Sequence, residues 1–398
     1  MAVVLGAVCL GLLSFQGTAA LILLARLLRG PARAKPLAPK APTPAHLGAV
    51  SVVVPTLNEV HRIGPCLAGL SRQSYEVREI AIVDSHSQDG TREKVKTAGQ
   101  RDPRIRLLTD TPLPAGWVGR PWALDYGFRH TAQKSQWFLG IDADTEPQPG
   151  LVTALLAAAE GGDYDLISLA PQFILYAPGE WWLQPALLMT LLYRFEAAGL
   201  SAQVPERVMA NGQCFLCRRS VLEQVDGYAS AARSFCDDVT LARNIAKRGF
   251  KVGFLDGSRL LKVRMYEGAL ETWQEWGRSL DLKDAAAPGQ LGMDLWLLAS
   301  VQGLPLLLSL VLGVWLALGY DFLTLRLALG LNLFLMVIRW ALLLAILPAY
   351  DRQRGGRAFW LFWLSPLADP LAVLRIFLSA ARTPTQWRGR SYESLGGH

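Results

Sequence analysis

The stretch FLGIDADTEP, residues 138–147, ends a short apolar run with two carboxylates one residue apart. The letters FLGI predict a buried strand, because a compact apolar run followed by a turn signal is typical of a sheet core. Asp142 and Asp144 follow at once. Like charges repel, and a buried carboxylate is costly unless it is paired. A cation should therefore lie beside the two carboxylates, unless the pair is exposed to solvent and has no special role.

Short apolar runs alternate with helix-like segments on both sides of this stretch. The alternation predicts an α/β fold, with a mostly parallel sheet and helices on both faces. The predicted strands are AVSVVVP (49–55), REIAIVD (78–84), RIRLL (104–108), QWFLGID (136–142) and YDLISLA (164–170). The predicted helices cover about 59–72, 89–100, 120–133 and 149–160.

Polar residues follow three of these strands. PTLNE places Thr56, Asn58 and Glu59 after the first strand, and IVDSHSQDGT places Asp84 at the end of the second. Ligands of such sheets bind beyond the carboxyl ends of the strands, so the three strand ends should meet at one crevice. Oxygen ligands of the D-x-D type suit Mg²⁺ or Mn²⁺, which keep open positions for substrate phosphates.

Two further segments add charge to this predicted crevice. GWVGRPWALDYG offers Arg120 as a partner for phosphate, and FCDDVTLARNIAKRG supplies a second acidic pair, Asp237 and Asp238.

The composition favours a membrane protein. The chain has 398 residues, is 51% hydrophobic and carries a net charge of +7. That is too apolar for an ordinary soluble enzyme. The basic residues lie beside apolar segments, and no nucleic-acid-binding motif is visible, so a membrane surface is a better partner than nucleic acid. The five cysteines predict reduced thiols, and CFLC (214–217) is interpreted as a buried strand rather than a metal site.

The order of apolar, basic and mixed segments predicts six regions. They are an N-terminal transmembrane helix (1–28), a Pro-rich basic linker (29–48), a catalytic domain (49–262), an interfacial amphipathic helix (263–290), C-terminal membrane segments (291–382) and a basic tail (383–398). The basic residues directly after the first helix predict a cytoplasmic catalytic domain.

Individual apolar segments lead to different expectations. Residues 295–318 and 322–347 are predicted to span the bilayer, whereas 358–380 contains Pro366 and Asp369 and is expected to be re-entrant or interfacial. The segment GEWWLQPALLMTLLYRF, 179–195, is interpreted as another interfacial helix, with a buried core helix as the alternative.

The ordered series PTLNE, VDSHSQDGT, GRPWAL, DADT, NGQCFLCRRS and CDDVTLARNIAKRG resembles the family 2 glycosyltransferases over residues 50–265. The trailing membrane segments and the ending WRGRSY resemble the branch that glycosylates membrane lipids, with carotenoid, hopanoid-associated and ceramide-type members. The resemblance implies a GT-A fold, a nucleotide-sugar donor (a UDP-sugar is favoured), a divalent metal (Mn²⁺ or Mg²⁺) and inverting transfer to a lipid hydroxyl. It also implies an integral protein of the cell inner membrane.

The resemblance assigns roles to particular residues. The nucleotide-sugar donor would contact Thr56, Asn58, Glu59, Asp84, Arg120, Asp142 and Arg278. The D-x-D residues Asp142 and Asp144 would hold the metal and the diphosphate, and Asp238 matches the catalytic base. Asp237 stands beside it, where Glu is commoner.

This sequence departs from the family pattern at three places. Ser85 stands where a second Asp is frequent, and Arg120 replaces a more usual Lys. The Q-x-x-R-W motif is not intact, because QEWGRS places one extra residue between Gln274 and Arg278. This change of spacing bears on the predicted contact between Arg278 and the diphosphate.

Two other functions are compatible with parts of this pattern. A processive polysaccharide synthase would have more spanning helices and an intact Q-x-x-R-W motif. A non-catalytic membrane scaffold that binds a nucleotide-sugar would not need every acidic position that is present here. The lipid glycosyltransferase is therefore the preferred prediction.

Overall fold

The computed structural model describes residues 2–195, 197–202, 204–279, 289–381, 386–387 and 390–391. The chain divides into two compact units. The first comprises the described residues of Met1–Arg33, Leu175–Phe195 and Tyr266–Arg382, and the second those of Ala34–Ile174, Glu196–Met265 and Thr383–His398. We call them the helical unit and the sheet unit.

The β-strands all belong to the sheet unit. In chain order they are β1 (Val50–Thr56), β2 (Val77–Asp84), β3 (Ile105–Thr109), β4 (Trp137–Ile141), β5 (Thr145–Pro147), β6 (Leu166–Ala170), β7 (Gln172–Phe173), β8 (Cys214–Arg218), β9 (Val252–Asp256), β10 (Leu261–Val263), β11 (Gln386–Trp387) and β12 (Arg390–Ser391). The five strands predicted from sequence correspond to β1, β2, β3, β4 and β6.

The α-helices are distributed over both units. They are α1 (Ala2–Leu27), α2 (Ile63–Ser71), α3 (Thr91–Arg101), α4 (Gly119–His130), α5 (Leu151–Gly162), α6 (Pro178–Arg194), α7 (Arg219–Gln224), α8 (Asp237–Lys247), α9 (Gly268–Ser279), α10 (Gln290–Leu298), α11 (Leu304–Ala317), α12 (Leu323–Ile346) and α13 (Asp369–Ala381). A π-helical turn, Ala299–Gly303, joins α10 to α11, and a 3₁₀ segment, Gly356–Ala368, leads into α13.

The main sheet has seven strands in the order β3-β2-β1-β4-β8-β6-β9. Strands β1 to β4 pair in parallel, as do β6 and β9, whereas β8 is antiparallel to both of its neighbours. The mostly parallel α/β prediction is confirmed, and the interior antiparallel strand is the feature that it did not include. CFLC lies in β8 with both thiols buried, as predicted.

Two apolar layers cover the faces of this sheet. Val52 of β1 and Leu139 of β4 belong to one layer, and Val53 and Phe138 belong to the other. Because successive residues of a strand point to opposite faces, strands buried on both faces must be apolar throughout. This explains the uninterrupted apolar runs that identified the strands in the sequence.

The register of the parallel strands places the predicted strand ends side by side. Thr56 at the end of β1 pairs with Asp84 at the end of β2, and Asp142 follows β4 directly on the other side of β1. Helix α3 begins at Thr91, after Gly90 turns the chain with φ +94° and Asp89 accepts a hydrogen bond from the Thr91 N–H at 3.0 Å. Polar loops thus border the crevice at this edge.

Within the helical unit, four helical stretches are long and apolar enough to cross a bilayer. They are Val4–Ala32, Gln290–Ala317, Leu323–Ala349 and Gly356–Ala381. In the last of these, the helix continues through Pro366 as a 3₁₀ segment and becomes α-helical at Asp369. Length and composition therefore permit a fourth span. Residues 358–380 were expected to be re-entrant or interfacial because Pro366 and Asp369 would interrupt a helix, but the helical stretch continues through both residues.

Helix α6 is a buried helix of the helical unit, which is the alternative considered for residues 179–195. The Trp181 side chain is fully buried and packs its ring against Tyr350, Phe359 and Phe362. The ring of Trp181 is thus enclosed by other side chains of this unit, which is what the buried-helix alternative predicts. Glu180 is also structural, since its carboxylate accepts hydrogen bonds from backbone N–H groups at the start of α6.

A buried ion pair connects the helices of this unit. Arg339 of α12 donates to both carboxylate oxygens of Asp369 at 2.7 and 3.1 Å, and both side chains are about 2% exposed. Gln302 in the π-helical turn donates to the same carboxylate at 3.0 Å and to the Ala186 carbonyl of α6 at 2.8 Å. Charged groups at such depth persist only when they are paired in this way.

Breaking this pair on one side should be much worse than removing it whole. We expect Arg339→Met to destabilise the protein by about 3–5 kcal/mol, because Asp369 would be left as an unpaired buried charge. The double variant Arg339→Met/Asp369→Leu should recover most of that loss. Thermal unfolding in detergent micelles measures both effects. Arg326→Met is the matched control on the same helix, since Arg326 pairs with Asp321 at an exposed position. Equal losses in the single and double variants would contradict this account.

Candidate active site

A pocket lies at the carboxyl ends of β1 and β4, within the sheet unit. Its lining residues come from the loops after these strands and from the start of α4. They are Pro55, Thr56, Leu57, Glu59, Ser85, Gly119, Arg120, Ala123, Asp142, Ala143 and Asp144. Thr56, Glu59, Arg120, Asp142 and Asp144 were all singled out from the sequence, and the fold brings them to one place.

A cation was expected beside Asp142 and Asp144, and Arg120 is a cation that contacts Asp142. Its Nε and Nη2 donate to Oδ1 of Asp142 at 3.0 and 2.9 Å. Nη1 donates to the carboxylate of Asp237, and Nη2 also donates to the carbonyl oxygen of Gly212 at 2.9 Å. Burial alone would lower the pKa of Arg120, but Asp142, Asp237 and Asp238 raise it well above its usual range. The guanidinium is therefore permanently charged.

Asp144 differs from Asp142 in its contacts. Its Oδ1 is buried and has no hydrogen-bond partner among the residues that the structure describes. Burial and the neighbouring charge of Asp142 raise the pKa of Asp144 to about 7, although Arg62 opposes this shift. A buried carboxylate oxygen without a partner fits a divalent cation, because an ion would supply the missing counter-charge.

The protein ligands alone do not complete a metal site. In the described part of the chain, no three His, Cys, Asp or Glu side chains gather closely enough to hold an ion. This is compatible with Mg²⁺ or Mn²⁺, which are commonly held by one or two carboxylates together with substrate phosphates. Asp142 and Asp144 are the residues that would contribute.

The second acidic pair lies in the first turn of α8, and one of its members, Asp237, contacts the same arginine. Asp237 is almost fully buried and is bound by Arg120, and burial raises its pKa to about 7 against the opposing effect of that guanidinium. Asp238 accepts a hydrogen bond from the Gly212 N–H at 2.6 Å and one from the Val239 N–H at 2.9 Å. Burial also raises the pKa of Asp238. A raised pKa makes a carboxylate a better proton acceptor.

Two predicted donor contacts lie outside the pocket lining. Asp84 is fully buried, and its Oδ2 accepts hydrogen bonds from Arg92 at 3.2 Å and from the Ser87 N–H at 3.1 Å. Asn58 has φ +56°, and its side chain accepts a hydrogen bond from the Gln88 N–H at 2.9 Å. Both residues hold the loops that border the pocket, and their contact with a donor stays a prediction.

The last predicted donor residue, Arg278, is in the final turn of α9, and its side chain lies outside the described residues. Helix α9 belongs to the helical unit. The predicted contact between Arg278 and a diphosphate therefore stays a prediction.

Sequence reasoning missed Gly212, Tyr228 and Arg62. A Cβ on Gly212 would lie 2.3 Å from Nη2 of Arg120, so this position admits the guanidinium only because it is glycine. Glycine in NGQC, directly before a predicted strand, was the available signal. Tyr228 is buried and acts electrostatically on Asp237 and Arg120. The charge of Arg62 lowers the pKa of Asp144, and no feature of the sequence around Arg62 predicted a place near the site.

Several known proteins are similar to this chain in sequence. Residues 51–226 match the model of Glycosyl transferase family 2. The 4,4'-diaponeurosporenoate glycosyltransferase of Staphylococcus haemolyticus (strain JCSC1435) is 25% identical over 232 residues, and the match covers 58% of this chain and 60% of that protein. The N-acetylglucosaminyl-diphospho-decaprenol L-rhamnosyltransferase of Mycobacterium tuberculosis (strain CDC 1551 / Oshkosh) is 27% identical over 251 residues, which are 52% of this chain and 75% of that protein.

A solved structure shares the fold. A mannosyltransferase from Pyrobaculum calidifontis, solved in complex with GDP-Man and Mn²⁺, aligns with a TM-score of 0.50 at 19% identity, over 92% of this chain and 99% of that chain. The predicted GT-A fold is confirmed. The motif series and the family match identify residues 51–226 as a glycosyltransferase family 2 domain, and the fold of the chain is of the same type.

Proposed function

We propose that the protein is a membrane-bound inverting glycosyltransferase that moves a sugar from a nucleotide-sugar, with a UDP-sugar favoured, to the hydroxyl of a membrane lipid. The observation that carries the proposal is the buried Oδ1 of Asp144, which has no hydrogen-bond partner among the described residues and lies in a pocket that Asp142 and Arg120 also line. The base candidate Asp238 joins the same hydrogen-bonded cluster through the Gly212 peptide.

The pocket supplies the donor side of the reaction. Thr56 and Glu59 lie at the carboxyl end of the parallel strands, where nucleotides bind in sheets of this kind. Asp142 and Asp144 would hold a divalent ion, which when bound neutralises charge on the leaving diphosphate. The related mannosyltransferase was solved with GDP-Man and Mn²⁺, which supports a metal-dependent nucleotide-sugar donor here.

The acidic pair of α8 supplies the acceptor side. Asp238 is the proposed base, because its carboxylate is bound by two backbone N–H groups and carries no ion pair with Arg120. Asp237 is engaged by Arg120 and is less available to take a proton. A hydroxyl that attacks as Asp238 removes its proton would displace the diphosphate from the opposite face of the sugar, so a single displacement inverts the anomeric centre.

A membrane lipid is the proposed acceptor because the described part of the chain contains four helical stretches that could span a bilayer. The names of two relatives point the same way, since they specify a diaponeurosporenoate and a diphospho-decaprenol acceptor. We place the protein in the cell inner membrane with the sheet unit on the cytoplasmic side, because Arg26, Arg29 and Arg33 end the first apolar segment.

The test compares a lipid alcohol with a water-soluble analogue that carries the same hydroxyl, with the protein in nanodiscs, Mn²⁺ present, and radiolabelled UDP-sugars and GDP-Man as donors. We expect kcat/KM to be far higher for the lipid, since each buried methylene contributes about 0.8 kcal/mol. Equal efficiency on both acceptors would refute the lipid assignment. A product with many sugars would indicate a processive synthase, and a donor that is bound but never consumed would indicate a scaffold.

A further inference from the structure

The Arg120 guanidinium contacts two carboxylates that have different roles in the proposed function. One belongs to the metal-binding pair and the other to the pair that contains the base. Nε and Nη2 hold Asp142 on the donor side, and Nη1 holds Asp237 beside the base candidate. The arginine side chain is only 15% exposed. Four of its N–H groups are used by these contacts and by the Gly212 carbonyl, so little hydrogen-bonding capacity remains for a ligand.

The contact with Asp142 conflicts with the binding of a metal ion to that residue. Both N–H contacts from Arg120 fall on the same oxygen, Oδ1. A divalent ion on this carboxylate would sit close to a guanidinium that is always charged, and like charges in a partly buried site repel strongly. The conflict is removed if the guanidinium obtains another anionic partner, and a diphosphate suits the planar fork of an arginine.

We propose that Arg120 couples metal binding to donor binding. It holds Asp142 before a nucleotide-sugar binds and moves from this carboxylate to the diphosphate when the donor binds, while Asp237 anchors the guanidinium throughout. Arg120 is then a donor-binding residue and Asp237 a positioning residue that acts through it. Metal and donor each bind well only in the presence of the other. The inference rests on the proposed function, because it assumes that this pocket receives a nucleoside diphosphate and a divalent ion.

Gly212 offers a second way to change the position of the Arg120 guanidinium. Its carbonyl oxygen accepts from Arg120, and its N–H donates to Asp238. A Cβ added here would lie 2.3 Å from Nη2 and 2.8 Å from Cζ of Arg120. Gly212→Ala should therefore push the guanidinium away from Asp142 without deleting any charge.

The measurement is the affinity for Mn²⁺ by electron paramagnetic resonance, on full-length protein in nanodiscs, without nucleotide and with saturating UDP or GDP. We expect Arg120→Gln to bind Mn²⁺ alone about tenfold more tightly than wild type, and the gain in Mn²⁺ affinity from the nucleotide to shrink by a similar factor, because coupling between two ligands is reciprocal. Gly212→Ala should shift both quantities in the same direction. Comparison between variants cancels the affinity of Mn²⁺ for the nucleotide in solution.

Arg129→Gln is the matched control. Arg129 lies on the same helix and also forms ion pairs, with Asp125 and Asp226, but it is outside the pocket. It should behave like wild type. An unchanged or weaker Mn²⁺ affinity in Arg120→Gln would overturn the coupling role and leave the proposed function intact. Wild-type protein that binds neither Mn²⁺ nor either nucleotide would overturn both.

Discussion

Asp238→Asn is expected to lower sugar transfer by about 10²–10⁴-fold, the range in which a positioned general base contributes. An amide cannot take a proton, but it can keep the hydrogen bond from the Gly212 N–H that the carboxylate accepts at 2.6 Å. The donor pocket should therefore keep its shape. We expect the dissociation constant for the nucleotide-sugar, measured by calorimetry with Mn²⁺, to stay close to the wild-type value.

The control for this variant is Asp226→Asn. Asp226 is an exposed carboxylate with φ +57°, a conformation that asparagine adopts readily. It should leave both transfer and binding unchanged. If Asp238→Asn instead abolishes donor binding, Asp238 is a binding residue. The neighbouring Asp237 would then become the candidate base, in spite of its ion pair with Arg120.

Asp144→Asn is expected to remove most transfer together with the response to Mn²⁺ or Mg²⁺. The amide is a poorer ligand for a hard cation and carries no charge. The same variant should be at least as stable to heat as wild type in the absence of metal, because it removes a buried charge whose Oδ1 has no partner among the described residues. Loss of activity without loss of stability separates a metal ligand from a residue that merely supports the fold.

Asp163→Asn serves as the control for this second substitution. Asp163 is an exposed carboxylate at the end of α5, with φ +49°. It should change neither transfer nor the response to metal. Full activity in Asp144→Asn would refute the metal assignment. A large fall in thermal stability of the metal-free variant would show that the carboxylate is structural.

Local sequence patterns were sufficient for the strands of the main sheet from β1 to β6. Apolar runs identified the strands, and the rule that parallel strands end at one edge brought Thr56 and Asp142 to one crevice. The antiparallel placement of β8 between β4 and β6 was out of reach, because it depends on pairing between segments far apart in the sequence. The small sheet of β5, β10 and β7 was not predicted for the same reason. Its strands are also only two or three residues long.

The charged residues of the site were likewise predicted in part, whereas the contacts between them were not. The two carboxylates after β4 predicted a cation, and Arg120 was noted as a cation near the crevice. What the sequence could not show is that this arginine itself holds Asp142, since the residues are 22 positions apart and meet only in the folded chain. The burial of Asp84 beneath Arg92 was likewise invisible, because an isolated Asp at a strand end does not reveal its partner.

The central claim is that this enzyme transfers a sugar to a membrane lipid. The most direct test is to measure the lipids of its native host. Mass spectrometry would compare membranes from cells that carry the wild-type protein with those from cells that carry Asp238→Asn at the same level. The account predicts a lipid heavier by one sugar residue in the first membranes and its unglycosylated precursor in the second. Identical lipid profiles, with the difference appearing instead in a water-soluble glycoside or a long polysaccharide, would contradict it.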